Sequence, residues 1–361
     1  MTKKIIFSAG GTGGHIIPAI NLMKHFFENG YNVLLVTDSR GKRFVNNLSE
    51  FKSYTLHVET LTNKNLIRKF LSLPIIFFSI LKSIFIIKKE NPDMVFGFGG
   101  YVSFPISFAT NFFKLPLIIY ENNMILGRTN KFLSLFAKKI LLAKKINEKF
   151  SEKNKKKSYQ VGSILGKNIV NYSSFKDNKK KGIFSVLVLG GSQGAEIFGN
   201  IVPSVIKEIK DKGYKIQVFQ QCIKQQKTKI IDFYEKNKVE HFVFEFNKDI
   251  LKLILSSDLA ITRCGASTTA ELAHTCTPFV AVPIQHSIDN HQYLNAKYYE
   301  KKGCCWILSE NDFNFENLFN LIIKVVKNEN KLKEIYKNMK KENSNDVYSN
   351  IENEVKEFIL K

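Results

Sequence analysis

The sequence predicts two doubly wound α/β domains in tandem, each a parallel sheet covered by helices, and three observations carry that expectation. Short apolar runs alternate with longer helix-like stretches almost throughout. Each half opens on a strand that enters a glycine-rich loop and then a helix. In the first half Ile5-Ile6-Phe7 leads to Gly10-Gly11-Thr12-Gly13-Gly14-His15, and in the second Leu187-Val188-Leu189 leads to Gly190-Gly191-Ser192-Gln193-Gly194-Ala195. Between the halves, residues 150–182 turn polar and Lys-rich, which marks a junction.

In the first half, strands are expected at 4–8, 32–36, 94–97, 117–120 and 140–142. In the second they are expected at 185–189, 216–219, 241–244, 259–262 and 279–282. From 314 onward the chain reads as helical and ends in a charged amphipathic helix. The expected division is 1–160, 161–340, and a C-terminal helix in 341–361 that packs back on the first domain. Parallel sheets bind ligands at the carboxyl ends of their strands. Two such domains facing one another set their loops across a common cleft.

Composition narrows the function classes. At 44% hydrophobic and 24% charged residues, the 361-residue chain is globular rather than disordered. Its five cysteines are scattered, with no Cys-x-x-Cys pair, which argues for a reducing compartment and against a disulfide framework or a zinc site. Met1-Thr2-Lys3-Lys4 leads straight into a strand, without the apolar run of a secretory signal. A formal charge of +22 admits nucleic acid, an anionic membrane or acidic ligands as partners. The Lys runs at 153–157 and 179–181 read as solvated linker instead. A nucleic-acid module would gather lysines on one face with stacking aromatics, and the runs fall in linkers and helix ends.

The glycine loops are neither dinucleotide fingerprints nor P-loops. Ile16 stands where the third glycine of Gly-x-Gly-x-x-Gly belongs, and no Gly-Lys-Ser/Thr follows. They suit close approach of the backbone to a polar ligand. Gly97-Phe98-Gly99-Gly100-Tyr101 forms another such loop, and Glu121-Asn122-Asn123 adds polar side chains at the same edge, with a solvated loop as the alternative for Glu121. The densest signal lies at 258–297. There a strand leads through the small-residue loop Cys264-Gly265-Ala266-Ser267-Thr268 to a helix expected to open at Thr269-Ala270-Glu271-Leu272, whose free N–H groups suit phosphate, and Glu271 suits a ribose diol or, alternatively, a capping role. Gln285-His286, Asp289-Asn290-His291-Gln292 and Asn295 follow the next strand.

These separated motifs, Gly10–His15 with Pro18, Gly97–Tyr101, Glu121–Asn123 with Thr129-Asn130-Lys131, Gly190–Ala195, and Arg263–Glu271 with Pro283-x-Gln-His286 and Gln292-Tyr-x-Asn-Ala296, resemble the MurG family of peptidoglycan glycosyltransferases across nearly the whole chain. The resemblance implies the GT-B fold, an inverting transfer of N-acetylglucosamine from UDP-N-acetylglucosamine, and a lipid-linked muramyl-pentapeptide as acceptor. It places Ser192 and Gln193 by the diphosphate, Ala266, Ser267, Thr268, Thr269, Ala270 and Glu271 around the nucleotide, and the Asn247 backbone at the uracil. His291 and Gln292 face the sugar hydroxyls, and His291 stands where some members carry glutamine. Thr12, Gly13, Gly14 and Asn123 meet the sugar or acceptor. A junction arginine of the family is replaced by Gly166 beside Lys167. His15 is the candidate base, because imidazole exchanges protons near neutral pH. No cofactor or metal is implied. Another UDP-sugar transferase or an epimerase of the same fold is the nearest alternative. The implied place is the cytoplasmic face of the bacterial plasma membrane, with other cell-wall or division proteins as further partners.

The run at 71–87 is strongly apolar, with Arg68 and Lys69 before it and Lys88-Lys89 after it. Pro74 and Lys82 interrupt it, leaving less than the roughly 20 apolar residues of a spanning helix. It is expected to lie in the membrane interface with Ile75, Ile76, Phe77, Phe78 and Leu81 inserted among anionic headgroups, the alternative being a buried core helix.

Overall fold

The structure, a computed structural model, describes residues 3–11, 13–44, 50–59, 66–146, 150–170, 182–191, 194–343 and 346–359, without the side chains of 66–71. The chain forms two compact units, Met1–Gly166 with Ser344–Lys361, and Lys167–Asn343. The breaks thus fall at 166/167 and 343/344, beside the expected 160/161 and 340/341.

Unit 1 is built on β1 (Lys4–Ser8), β2 (Asn32–Thr37), β3 (Lys52–Thr55), β4 (Met94–Gly97), β5 (Leu117–Glu121), β6 (Lys139–Leu142) and β7 (Ser158–Gln160). Its helices are α1 (Gly13–Glu28), α2 (Ser39–Lys42), α3 (Leu66–Glu90), α4 (Ser103–Ala109), α5 (Arg128–Leu133) and α6 (Glu152–Lys155). The strands pair in parallel in the order β3-β2-β1-β4-β5-β6-β7, with Ile6 beside Leu34 on one side and Val95 on the other. Helices on both faces leave β1, β4 and β5 buried almost throughout, which is why they read as unbroken apolar runs. Phe7, Phe26 and Phe96 pack ring against ring under α1, at centroid distances of 5.4–6.0 Å.

Unit 2 repeats the plan with α7 (Lys167–Val170), β8 (Phe184–Leu189), α8 (Glu196–Asp211), β9 (Ile216–Gln221), α9 (Lys227–Lys236), β10 (Glu240–Phe244), α10 (Ile250–Leu255), β11 (Leu259–Thr262), α11 (Ala266–His274), β12 (Phe279–Ala281), α12 (His291–Lys301), β13 (Cys305–Ile307), α13 (Phe315–Val326) and α14 (Glu329–Glu342). Its parallel order is β10-β9-β8-β11-β12-β13. The last helix, α15 (Val347–Ile359), belongs to unit 1. Glu352 meets His25 of α1 at 2.9 Å, Lys139 of β6 bridges Glu354 and Glu357, and the Tyr348 hydroxyl donates to the Leu165 carbonyl.

Helix α3 runs unbroken through Pro74, and only its last turns, at Ile86 and Ile87, enter the core of unit 1. Over 72–85 the buried residues are Ser72, Ser79 and Ser83, while Leu73, Phe77, Phe78, Leu81 and Phe85 stand exposed, Phe78 by 67%. Ile75 and Ile76 are half-buried. The serines bond inward: Ser79 to the His57 carbonyl at 2.6 Å, Ser83 to the Ser79 carbonyl and Ser72 to Glu59. The polarity is the reverse of an ordinary surface helix. Among the described residues no helix is long and apolar enough to cross a membrane.

Helix α3 ends on Glu90, a buried carboxylate that accepts from Lys52 at 2.6 Å, from Lys4 at 3.3 Å and from the Tyr54 hydroxyl. Burial alone would raise its pKa, but the bonds from Lys52, Tyr54 and Lys4 outweigh that cost and hold it at about 2. A depressed folded-state pKa stabilises the fold above the unfolded value of 4.5 and is lost as pH falls toward 2. Glu90→Gln is therefore expected to lose about 2 kcal/mol at pH 7. In urea unfolding the deficit should shrink as pH falls from 4.5 toward 2, and a deficit independent of pH would contradict the assignment.

Candidate active site

Both sheets reverse their strand order beside the first strand, between β1 and β4 in unit 1 and between β8 and β11 in unit 2. Loops leaving the carboxyl ends at such a point diverge and open a recess. Each glycine-rich loop lies at one of these points.

In unit 1 the helix starts earlier than expected. Gly13, Gly14 and His15 occupy the first turn of α1 rather than the loop before it. The half-buried His15 ring lies against the second glycine loop. A Cβ at Gly100, where φ is +73°, would sit 3.4 Å from His15 Cδ2 and 3.5 Å from the Gly10 carbonyl oxygen. Glycine at 100 lets the two loops and the imidazole meet. Gly13 is buried and Gly14 half-buried, while Thr12 lies outside the described residues.

Glu121 is not a solvated loop residue. Its side chain is 1% exposed in a fully packed edge. One carboxylate oxygen accepts from the Asn123 backbone N–H (3.0 Å) and Asn123 Nδ2 (2.9 Å). The other accepts from the Gly127 N–H and Asn130 Nδ2, both at 2.9 Å. Four donors around one carboxylate fix residues 121–130, and Asn123 is positioned by that carboxylate.

In unit 2 the first loop folds back on itself, and a Cβ at Gly190 would fall 2.3 Å from the Ala195 nitrogen. Ser192 and Gln193 lie outside the described residues. Helix α11 begins at Ala266, three residues before the expected Thr269, with no side-chain cap on its first turn. Ala266, Ser267 and Thr268 are half-buried around it. Thr269 and Ala270 turn into the core, the Thr269 hydroxyl bonding back to the Gly265 carbonyl at 3.1 Å, so they shape the helix and offer no side chain. Glu271 lies in the second turn, beyond reach of a capping role. Part of its surface is open, yet burial pushes its carboxyl up to about 7.

Gln292 joins the neighbouring loops. Its Oε1 accepts from the Cys264 N–H at 3.2 Å and the Ile284 N–H at 3.1 Å, which leaves the Nε2 group to offer a ligand. Asn295 Nδ2 holds the Cys264 carbonyl at 3.0 Å. His291 Nδ1 lies 2.7 Å from the Ile288 carbonyl oxygen. A carbonyl only accepts, so Nδ1 carries a proton, and in the neutral ring Nε2 is the acceptor. Asn247 closes its own turn by accepting from the Asp249 N–H at 2.7 Å, leaving its backbone free of that role. Gly166 ends unit 1 and the exposed Lys167 opens α7 in unit 2.

Sequence reading missed two supports. Arg263 is nearly buried, stacks over the Phe198 ring at 5.2 Å, and donates to the Val282 carbonyl and to Glu310. The other Glu310 oxygen accepts from the Gln285 N–H at 3.0 Å. Burial opposes ionisation of Glu310, but the Gln285 N–H and Arg263 prevail and hold its pKa below the usual range. The second support is Asp38 with Arg40 and Tyr101 in unit 1. An acidic residue followed by arginine just beyond β2 was the available signal.

Comparison with known proteins follows these features. The Glycosyltransferase family 28 N-terminal domain matches residues 5–142 and the C-terminal domain of the same family matches 185–353. A Pelagibacter ubique protein named UDP-N-acetylglucosamine--N-acetylmuramyl-(pentapeptide) pyrophosphoryl-undecaprenol N-acetylglucosamine transferase is 36% identical over 97% of both chains. The chain belongs to that family. A Rickettsia canadensis relative of the same name is 35% identical over 94% of this chain and 95% of its own. The crystal structure of Acinetobacter baumannii MurG superposes with a TM-score of 0.80 at 23% identity, covering 99% of this chain and 100% of that one, which establishes the GT-B fold. A UDP-N-acetylglucosamine 2-epimerase from Listeria monocytogenes, described as putative in its own name, shares the fold at a TM-score of 0.69 and 12% identity, over 99% and 98% of the chains. Fold alone therefore does not separate transferase from epimerase, and the family's sequence relationship does.

Proposed function

We propose that the chain transfers N-acetylglucosamine from UDP-N-acetylglucosamine to the 4-hydroxyl of the N-acetylmuramic acid of undecaprenyl-diphospho-muramyl-pentapeptide. The observation that carries this reading is the 36% identity over 97% of the chain to a relative named for that reaction. Unit 2 takes the donor. The open first turn of α11 and the Gly190–Gly194 loop receive the diphosphate, with Ser192 and Gln193 in that loop, and Glu271 takes the ribose hydroxyls. Ionised Glu271 accepts two bonds from a diol, so nucleotide binding draws its raised pKa back down. The Asn247 backbone takes the uracil. Gln292 Nε2 donates to one sugar hydroxyl and His291 Nε2 accepts from another.

Unit 1 takes the acceptor along the edge formed by Thr12, Gly13, Gly14 and Asn123. The acceptor O4 attacks the anomeric carbon, the bond from that carbon to the UDP oxygen breaks, and configuration inverts. The hydroxyl proton passes to the His15 imidazole, whose place against the second glycine loop supports this role. Negative charge on departing UDP is met by backbone N–H groups of the unit 2 loop and helix start. Lys167 contributes a positive charge near the junction, without the fork of the arginine it replaces.

The exposed apolar stripe of α3 is assigned to an anionic membrane surface, in keeping with a lipid-linked acceptor, at the cytoplasmic face of the plasma membrane. Phe112 beside it, and Phe132 and Leu135 at α5, extend the exposed apolar surface. Phe108 lies 6.0 Å from Phe112 and 6.4 Å from Phe132. Lys82, Lys88, Lys89, Lys114 and Lys131, in the same stretches of chain, are exposed. Scattered single apolar side chains are ordinary on a surface, whereas a contiguous aromatic patch marks an interaction site. Other cell-wall or division proteins are assigned no surface.

Two measurements test these readings. Labelled N-acetylglucosamine from UDP-N-acetylglucosamine should appear in a lipid-linked disaccharide, with UDP-N-acetylgalactosamine a poor donor. His15→Ala should lower kcat by about 10²–10⁴-fold while the donor KM changes little. A kcat near wild type would remove His15 as base. In flotation with vesicles containing phosphatidylglycerol, the wild type should rise with the lipid and Phe77→Ser/Phe78→Ser/Phe85→Ser should remain below. Wild type that fails to bind at either low or high salt would refute the membrane assignment.

A further inference from the structure

Arg40 stands between the two glycine loops of unit 1 and takes no part in the roles assigned so far. Its support is unusually complete. Asp38, 5% exposed at the carboxyl end of β2, accepts from the Gly41 N–H at 2.7 Å, the Gly11 N–H and Arg40 Nε at 3.2 Å each, and the Tyr101 hydroxyl at 3.3 Å. The guanidinium lies over the Tyr101 ring, 5.1 Å from its centroid. Arg40 Nη2 sits 3.3 Å from the point a Gly11 Cβ would occupy, so the group rests against the first loop as well.

Two features distinguish this from an ordinary surface ion pair. Asp38 already has three other donors, so the arginine is not needed to satisfy it. Only Nε of Arg40 is engaged, and its Nη groups meet no acceptor among the described residues although the side chain is 48% exposed. An exposed pair contributes little to stability and costs side-chain entropy. Here that entropy has been spent on a fork that faces outward between the loops. A planar guanidinium with fixed orientation and open Nη groups matches a phosphate or carboxylate through two parallel hydrogen bonds.

We infer that Arg40 binds an anionic group of the acceptor through its Nη groups, and that Asp38 and Tyr101 hold it in position. The inference rests on the proposed transfer, whose acceptor carries both a diphosphate and peptide carboxylates. Steady-state transfer by wild type, Arg40→Gln, Arg40→Lys and Tyr101→Phe is measured with two acceptors, one complete and one that lacks the peptide and has its lactyl carboxyl capped as a neutral methylamide. Arg40→Gln is expected to raise the acceptor KM about 30-fold, the effect of losing charge-assisted hydrogen bonds. The donor KM should stay within about twofold of wild type. Arg40→Lys keeps the charge without the fork and should recover part of the loss, and it carries the comparison if Arg40→Gln does not fold. Tyr101→Phe retains the ring but not the hydroxyl and should give a smaller rise. A penalty that persists without the peptide identifies the diphosphate as the anion, and one that vanishes identifies a peptide carboxylate. An unchanged acceptor KM in Arg40→Gln and Arg40→Lys, or an equal rise in donor KM, overturns the inference. A wild-type chain that forms no disaccharide overturns the proposed reaction itself, and the inference with it.

Discussion

The candidate site depends on side-chain oxygens, buried at Glu121 and half-buried at Gln292 and Glu310, that take up backbone N–H groups where the parallel strands end. A parallel sheet releases its chain at one edge, and loops there carry donors that no strand partner satisfies. Unit 1 answers this with Glu121, whose two oxygens gather four donors from the segment to Asn130. Unit 2 divides the task between Gln292 Oε1, which joins the loops after β11 and β12, and Glu310, which holds Gln285 and Arg263. Each acceptor converts a loop that would cost entropy to order into a fixed wall for a ligand. The glycines then have a definite surface to approach.

The same constraint separates residues that shape the site from residues that can touch a ligand. Thr269 and Asn123 spend hydroxyl or amide groups on the protein, and Gln292 spends its carbonyl. The Gln292 Nε2 and Arg40 Nη groups lie outside these contacts. Replacement of glutamine by His291 retains an acceptor at that point in the neutral ring, because the Ile288 carbonyl fixes the proton on Nδ1. The reversed polarity of α3 obeys a related economy. Ser72, Ser79 and Ser83 bond inward, and Phe77, Phe78 and Phe85 stay exposed.

Much of the architecture was legible because strands buried on both faces must be continuously apolar. β1, β4, β5, β8 and β11 announce themselves that way. The strands that escaped are Lys52–Thr55, Ser158–Gln160 and Cys305–Ile307, all at or near sheet edges, where one side is solvated and the run is short. The glycine loops were readable as sites, since glycine is a local signal. The partnerships were not. Arg263 and Glu310 are far apart in sequence, as are Gly11 and Asp38, and only the fold brings them together. Glu121 was readable as a polar side chain at the site's edge, with a solvated loop as the alternative, and nothing local reports that four donors surround it. Helix starts were misplaced for a similar reason: Gly13 and Gly14 are poor helix formers, yet tertiary packing carries α1 through them.

The most direct measurement is backbone hydrogen exchange at Asn123, Gly127, Cys264, Ile284 and Gln285 in the ligand-free chain. If these side-chain acceptors preform the loops, their N–H groups should exchange about 100-fold more slowly than an unstructured chain, corresponding to about 2.7 kcal/mol of local opening. Exchange at the rate of an unstructured chain at all five would contradict the account, because the loops would then acquire their shape only when a ligand arrives.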